Sequence, residues 1–229
     1  LMVVLLLEIW FDYRVDMINF AKTAKFPMNW FYKVISLFST DTSPHAIAID
    51  KKVIKFITII GIPSAFILHG YVGFIFGSIK ANPWWSSVLI PIVFLFSAIV
   101  SGIALILLLY MIITPSRGIP IDMKCLDKIA SFLLYAVIID FSLEILDFIH
   151  RLYESEESIK ILTEMVMNKL FISLVVLQVL IGMIVPLSIL IIIKLTGFNQ
   201  ELRKLLYFLS AILIQIGIFS TRWNVVLGG

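Results

Sequence analysis

Asp140, Glu144 and Asp147 sit in "IIDFSLEILDFIH", a run from Ile138 to His150 apolar enough to lie in a membrane. Their spacing, a step of four and then of three, stacks them on one face of a helix. At 1.5 Å per residue the set covers about 10 Å of helix axis. An ionised acid facing lipid costs about 2.5–3.5 kcal/mol on insertion scales, so these side chains are expected to face protein or a wet cavity. Asp140 lies near mid-span, and Asp147 nears the surface beside His150 and Arg151. Such a ladder suits a proton relay from the interface to a buried site. The alternative is a structural polar network pairing the acids with Ser, Tyr or Arg of neighbouring helices.

His69 is the second candidate, mid-span in "GIPSAFILHGYVGF", with Tyr71 close behind. A histidine there can hold a metal or haem, or exchange protons. Bis-histidine haem needs two placed imidazoles. His150 lies near a helix end and His45 in a loop, so a hydrogen-bonding or protonatable role suits His69 better. Glu8 stands inside an apolar run and needs a partner. Arg14, in "DYRVD", and Arg222, in "TRWN", are able to balance buried acids, attract an acidic partner or serve as plain interfacial anchors. There is no nucleotide-binding loop, metal-ligand spacing or nucleophile motif. Gly70, Gly73 and Gly77 lie in a hydrophobic helix and cannot make a phosphate cradle.

These residues need helices to position them. The chain has 229 residues, 61% hydrophobic and 14% charged, with a mean hydropathy of +1.06. Soluble domains carry about 45–50% apolar and about 25% charged residues, so this is an integral membrane protein. A net charge of +3, scattered along the chain, points away from nucleic acid. The lone Cys125 excludes an internal disulfide and a cysteine-held cluster. Spanning helices need about 20 apolar residues. The segments 53–79, 86–113, 129–150, 170–193 and 205–221 meet or approach that length, and 28–39 is too short. The opening "LMVVLLLEIW", to about Asp12, reads as the tail of another helix, and the chain as the ordered part of a longer protein.

Short polar connections predict antiparallel neighbours, hence an all-α polytopic helical bundle. It divides into 1–52 (the end of an incomplete N-terminal bundle plus a loop), 53–193 (four spans) and 194–229 (a further span). Gly73 and Gly77, and Ser97 and Ser101, offer small-residue faces for close helix approach. Pro63, Pro91 and Pro186 are expected to kink spans. Lys51, Lys52, Lys55, Arg117, Lys124, Lys128, Lys194, Arg203 and Lys204 share one side, which the positive-inside rule places in the cytoplasm. Lys80, Arg151, Lys160, Lys169, Arg222 and the acidic "ESEE" lie on the other side, with "PWW" at its interface.

The run from 61 to 113 resembles the NrfD/PsrC family, the membrane subunits of polysulfide reductase-like complexes. The resemblance rests on His69, Gly70, Gly73, Lys80, Ala81, Pro83, Trp85, Ser97, Ala98, Ser101 and Gly102. The end, "RWNVVLGG", is similar to the Arg-x-Asn-Val-Val-x-Gly-Gly signature of the family's longer, roughly ten-helix members, which occur in sulfite-reduction, hydrogenase and alternative complex III assemblies. "FDYRVDMINF" is similar to the family's Asp-x-Gly-Arg-Pro-Asp-Arg loop, but it lacks the Gly and Pro and has Met17 in place of the last Arg. The resemblance implies a multi-pass subunit of a prokaryotic plasma membrane with no redox centre of its own. Such a subunit binds a quinone, menaquinone before ubiquinone, beside a ferredoxin-like iron–sulfur partner and further subunits of a respiratory complex. Clusters would reside in the partner only. Asp140, Glu144, Asp147 and His69 would then move protons, with His69, Tyr71, Arg14 and Arg222 in the quinone's vicinity. A proton- or ion-coupled transporter using the same acids is the competing reading, although no inverted repeat is evident.

Overall fold

The computed structural model describes residues 1–25, 27–153 and 156–227, with 156–158 described by backbone alone. Gly228 and Gly229 of the C-terminal signature, and Glu154 and Ser155 of the acidic "ESEE", lie outside the described residues. The elements are α1 (Met2–Thr23), α2 (Met28–Ile35), α3 (Pro44–Gly77), α4 (Ile90–Ser116), α5 (Met123–Leu152), α6 (Glu156–Glu164), α7 (Val185–Leu195) and α8 (Gln200–Leu227). Met165–Lys169 and Phe171–Ile184 are π-helical. Among the described residues there is no strand. Among the described residues, five helices are long and apolar enough to cross a membrane: α3, α4, α5, the continuous Phe171–Leu195 and α8. The all-α polytopic architecture is as the hydropathy predicts.

Two local expectations change. The first helix does not stop near Asp12 but runs to Thr23, so "FDYRVDMINF" is helical and not a loop. With neither Gly nor Pro in that stretch, nothing interrupts the backbone ladder. Pro91 and Pro186 lie in the first turns of α4 and α7, while Pro63 is inside α3. At the start of α4 the missing Pro91 N–H breaks no hydrogen bond, whereas Pro186 lies within the continuous Phe171–Leu195 span. Pro186 marks the point where the π-helical spacing of 171–184 reverts to α.

The chain forms two compact units, Leu1–Leu68 and His69–Gly229, with the division inside α3. In the first unit, polar groups set the register between α1 and α3. Arg14 Nε and Nη2 donate to Asp50 Oδ2 at 2.8 and 2.6 Å, and Nη1 donates to Ser39 Oγ and the Asp41 carbonyl. Thr58 Oγ1 donates to Glu8 Oε1 at 2.5 Å, which supplies the partner Glu8 requires. Val4 packs against Gly61. The pairs 14–50, 8–58 and 4–61 keep a nearly constant sum, as antiparallel helices must. Trp10 Nε1 fastens α2 by donating to the Ile35 carbonyl.

In the second unit, α4 and α5 pack together, and α8 packs against α4, α7 and the 171–184 stretch. Asp122 caps α5 by accepting from the Lys124 amide, and Gly118, at φ +71°, closes α4. A dry core of Val100, Ala104, Leu107, Leu133, Ala211 and Ile214 fills one end. Two close approaches depend on glycine. A Cβ at Gly73 or Gly77 would press on the backbone of Pro91 or Ser87, so the expected small-residue face receives the start of α4. A Cβ at Gly182 would collide with the Gly217 backbone, and the reverse holds too. G182A is therefore expected to destabilise the unit by about 1–3 kcal/mol. Thermal unfolding in detergent checks it, and an unchanged midpoint would show that α8 does not meet 171–184 here.

Candidate functional site: a carboxylate–amide wall

The inward stripe of α5 reads Leu126, Ala130, Leu133, Val137, Asp140, Glu144, Asp147 and Arg151, a step of three or four each time. Its first half is apolar and joins the dry core; its second half is charged. The structure therefore turns all three acids toward protein, as their spacing requires. Asp140 is 1% exposed and Asp147 5% exposed.

Their surroundings differ. Glu144 is the acceptor at the end of a hydrogen-bond chain. Asn224 Nδ2 donates to Gln178 Oε1 at 2.8 Å, and Gln178 Nε2 donates to Glu144 Oε2 at 2.8 Å. Thr221 Oγ1 lies 3.5 Å from the other Glu144 oxygen. Asp147 forms an ion pair with Arg151 one turn along its own helix and accepts from Ser87 Oγ. Arg151 also donates to the Trp84 carbonyl and lies over the Trp84 ring. The Trp84 and Trp85 indoles donate to the Asn224 and Val225 carbonyls. The "PWW" stretch thus ties the ends of α5 and α8 together. Asp147 is thus neutralised by a cation on its own helix, whereas Glu144 meets neutral amide and hydroxyl partners from other elements.

Asp140 Oδ1 is buried without a hydrogen-bond partner among the described residues. Arg222 is within electrostatic reach of Asp140 and Glu144. Its Nη2 donates to the Phe94 carbonyl and Ser97 Oγ at 2.9 and 2.7 Å, and its guanidinium stacks on Phe94. Ser101 pairs with Gln215. The Ser97/Ser101 face thus receives polar groups of α8 as well as allowing close packing.

A cavity of about 370 Å³ opens beside this wall. Glu144, Asp147, Arg151, Gln178, Thr221 and Asn224 supply its polar side, and Phe94, Phe141, Phe148, Leu174 and Val179 are among its apolar walls. Of the residues singled out in the sequence, Glu144 and Asp147 line it. Asp140 and Arg222 are not among the lining residues. His69, half-buried, and Tyr71, 60% exposed, belong to α3 and are not among the lining residues. Arg14 belongs to the first unit, where Asp50 takes it up. The sequence reading passed over Gln178, Thr221 and Ser87. Gln178 carried a usable signal, an amide alone in the apolar run "LVVLQVLIG".

Fold and site together define a polytopic α-helical membrane protein with a mostly apolar cavity that has one hydrogen-bonding, carboxylate-bearing side. The chain belongs to the NrfD family, described as polysulphide reductase, NrfD, which matches residues 1–229. It is accordingly a multi-pass protein of the prokaryotic plasma membrane. It is 29% identical over 232 residues to a subunit of the selenate reductase of Mesobacillus selenatarsenatis, an alignment covering 99% of this chain and 52% of that protein. The chain thus spans about half the length of this relative.

Proposed function

We propose that the chain belongs to the quinone-reactive membrane subunit of a respiratory oxidoreductase complex, and that it exchanges electrons between the membrane quinone pool and an iron–sulfur partner subunit with coupled proton transfer. The observation that carries this reading is the cavity with its carboxylate–amide wall. Small-molecule sites are typically about 300–1,000 Å³ and mainly apolar, with a few convergent polar groups. This one has that size and lining. Asn224 Oδ1 is a buried acceptor without a partner among the described residues, suited to a hydroxyl donor. The residues therefore fit a ring bearing oxygens at its edge. A quinone, menaquinone before ubiquinone, would supply the electron-and-proton couple.

The chain's part is to hold the ring and handle protons. Phe94, Phe141 and Phe148 would enclose the ring and exclude water. Asn224 and Gln178 would orient its oxygens. Glu144 Oε2, fixed by Gln178, would take up or give the proton, with Asp140 one turn deeper in the bundle as the next carboxylate. The relation to a selenate reductase subunit supports the wider assignment to a reductase complex, with a ferredoxin-like iron–sulfur protein as the neighbour. The first test is gentle purification of the complex from native membranes, with subunit identification and an organic extract assayed for quinone. An iron–sulfur subunit together with quinone is the expected result. A lone protein free of iron and quinone would overturn the reading in favour of ion transport through the same acids.

A further inference from the structure

A second cavity lies at the opposite end of the second unit. It measures about 280 Å³ and opens between α5, α7 and α8. Lys194 and Arg203 are its cations, and Leu134, Leu190 and Ile193 are among its apolar walls. Asp127 is also in the lining, but it is occupied: it forms an ion pair with Arg203 and accepts from Tyr207 Oη at 3.0 Å. Arg203 Nε is buried and has no partner among the described residues. Lys194 is held in place, its Nζ donating to Tyr135 Oη at 2.6 Å and lying 4.3 Å above that ring. An ammonium has three donors, so one bond leaves the others available.

Charge around the opening is unbalanced. The connections at this end, 114–128 and 194–204, carry Arg117, Lys124, Lys128, Lys194, Arg203 and Lys204 against Asp122, Asp127 and Glu201. The positive-inside rule assigns this end to the cytoplasmic face, where anionic lipids attract basic segments. A cation pair beside apolar walls at a membrane boundary matches an amphiphile with an acidic head and hydrocarbon tails. We propose that this cavity binds the phosphate headgroup of an anionic phospholipid, held between Arg203 and Lys194, with its acyl chains in the surrounding bilayer. The site is separate from the acid-walled cavity, and its test is independent of quinone turnover.

Phosphate chemistry is shared by lipid headgroups and free anions, so the test has three arms. The intact purified complex is titrated with phosphatidylglycerol, with phosphatidylcholine and with inorganic phosphate. Bound lipid is counted by native mass spectrometry and the thermal midpoint is followed. Phosphatidylglycerol is expected to be retained and to raise the midpoint, with the other two ineffective. K194Q should weaken phosphatidylglycerol binding about fivefold, K194R should restore it, and K160Q at the far end should leave it unchanged. The neutral pair D127N/R203Q should weaken it as well, without leaving one member of the half-exposed pair unpartnered. Equal retention of the two lipids, or K194Q binding as the wild type does, overturns the proposal. Inorganic phosphate raising the midpoint as phosphatidylglycerol does would assign the cavity to a free anion and overturn the lipid.

Discussion

On the proposed quinone-reactive role, E144Q in the assembled complex is expected to lower quinol turnover by about 10²–10⁴-fold, the usual contribution of a positioned acid–base group. The substitution keeps shape and most hydrogen bonds. A glutamine at 144 still accepts from Gln178 Nε2, which now donates to Glu144 at 2.8 Å, so assembly and thermal midpoint should hold. What it loses is the ability to carry a proton. D140N removes the deeper carboxylate and should slow turnover in the same assay, and D140N/E144Q should be no faster than E144Q alone. Wild-type turnover in that double variant would eliminate the carboxylates as the proton route. G182A offers a contrast, because it should shift the midpoint through packing while leaving every carboxylate of the wall in the chain.

The second large effect separates Asp147 from its neighbours on α5. Asp147 and Arg151 are both buried and paired. Removing one partner of a buried pair typically costs about 3–5 kcal/mol, because the other charge is left uncompensated, whereas replacing both by apolar groups is often nearly neutral. D147L alone should therefore destabilise the second unit by about that amount. D147L/R151M should recover most of it, although the Ser87 hydroxyl and the Trp84 carbonyl each lose a partner. Thermal unfolding of the two variants side by side reads the difference. If the double variant unfolds as readily as the single, the tie between Arg151 and the Trp84 loop carries the stability rather than the charge pair. Turnover by the double variant then decides whether Asp147 belongs to the proton path or only holds the end of α5 in place.

Much of this protein was determined by local rules. Apolar runs of spanning length must become helices in lipid, because a backbone donor without a partner is too costly there. The steps of four and three from Asp140 to Asp147 put those acids on a common stripe, and their charge turned the stripe inward. The family was likewise legible in His69, Lys80, Pro83 and Trp85. Tertiary structure decided what spacing cannot encode. Periodicity places a residue on a face but does not name what meets it. Only the folded bundle sets Gln178, itself held by Asn224, against Glu144, and gives Asp147 to Arg151 instead. His69 and Tyr71 illustrate the same limit: their place in the chain suggested a part in the site, but the residues lining the cavity came from other helices. The π-helical stretch from 171 to 184, with no Gly–Pro signal at its start, also emerged only from packing, where Gly182 meets Gly217. Sequence determined which side chains must avoid lipid; the packing of α4, α5, 171–184 and α8 decided which of them share a cavity, because hydrogen-bond partners and void space belong to several helices at once.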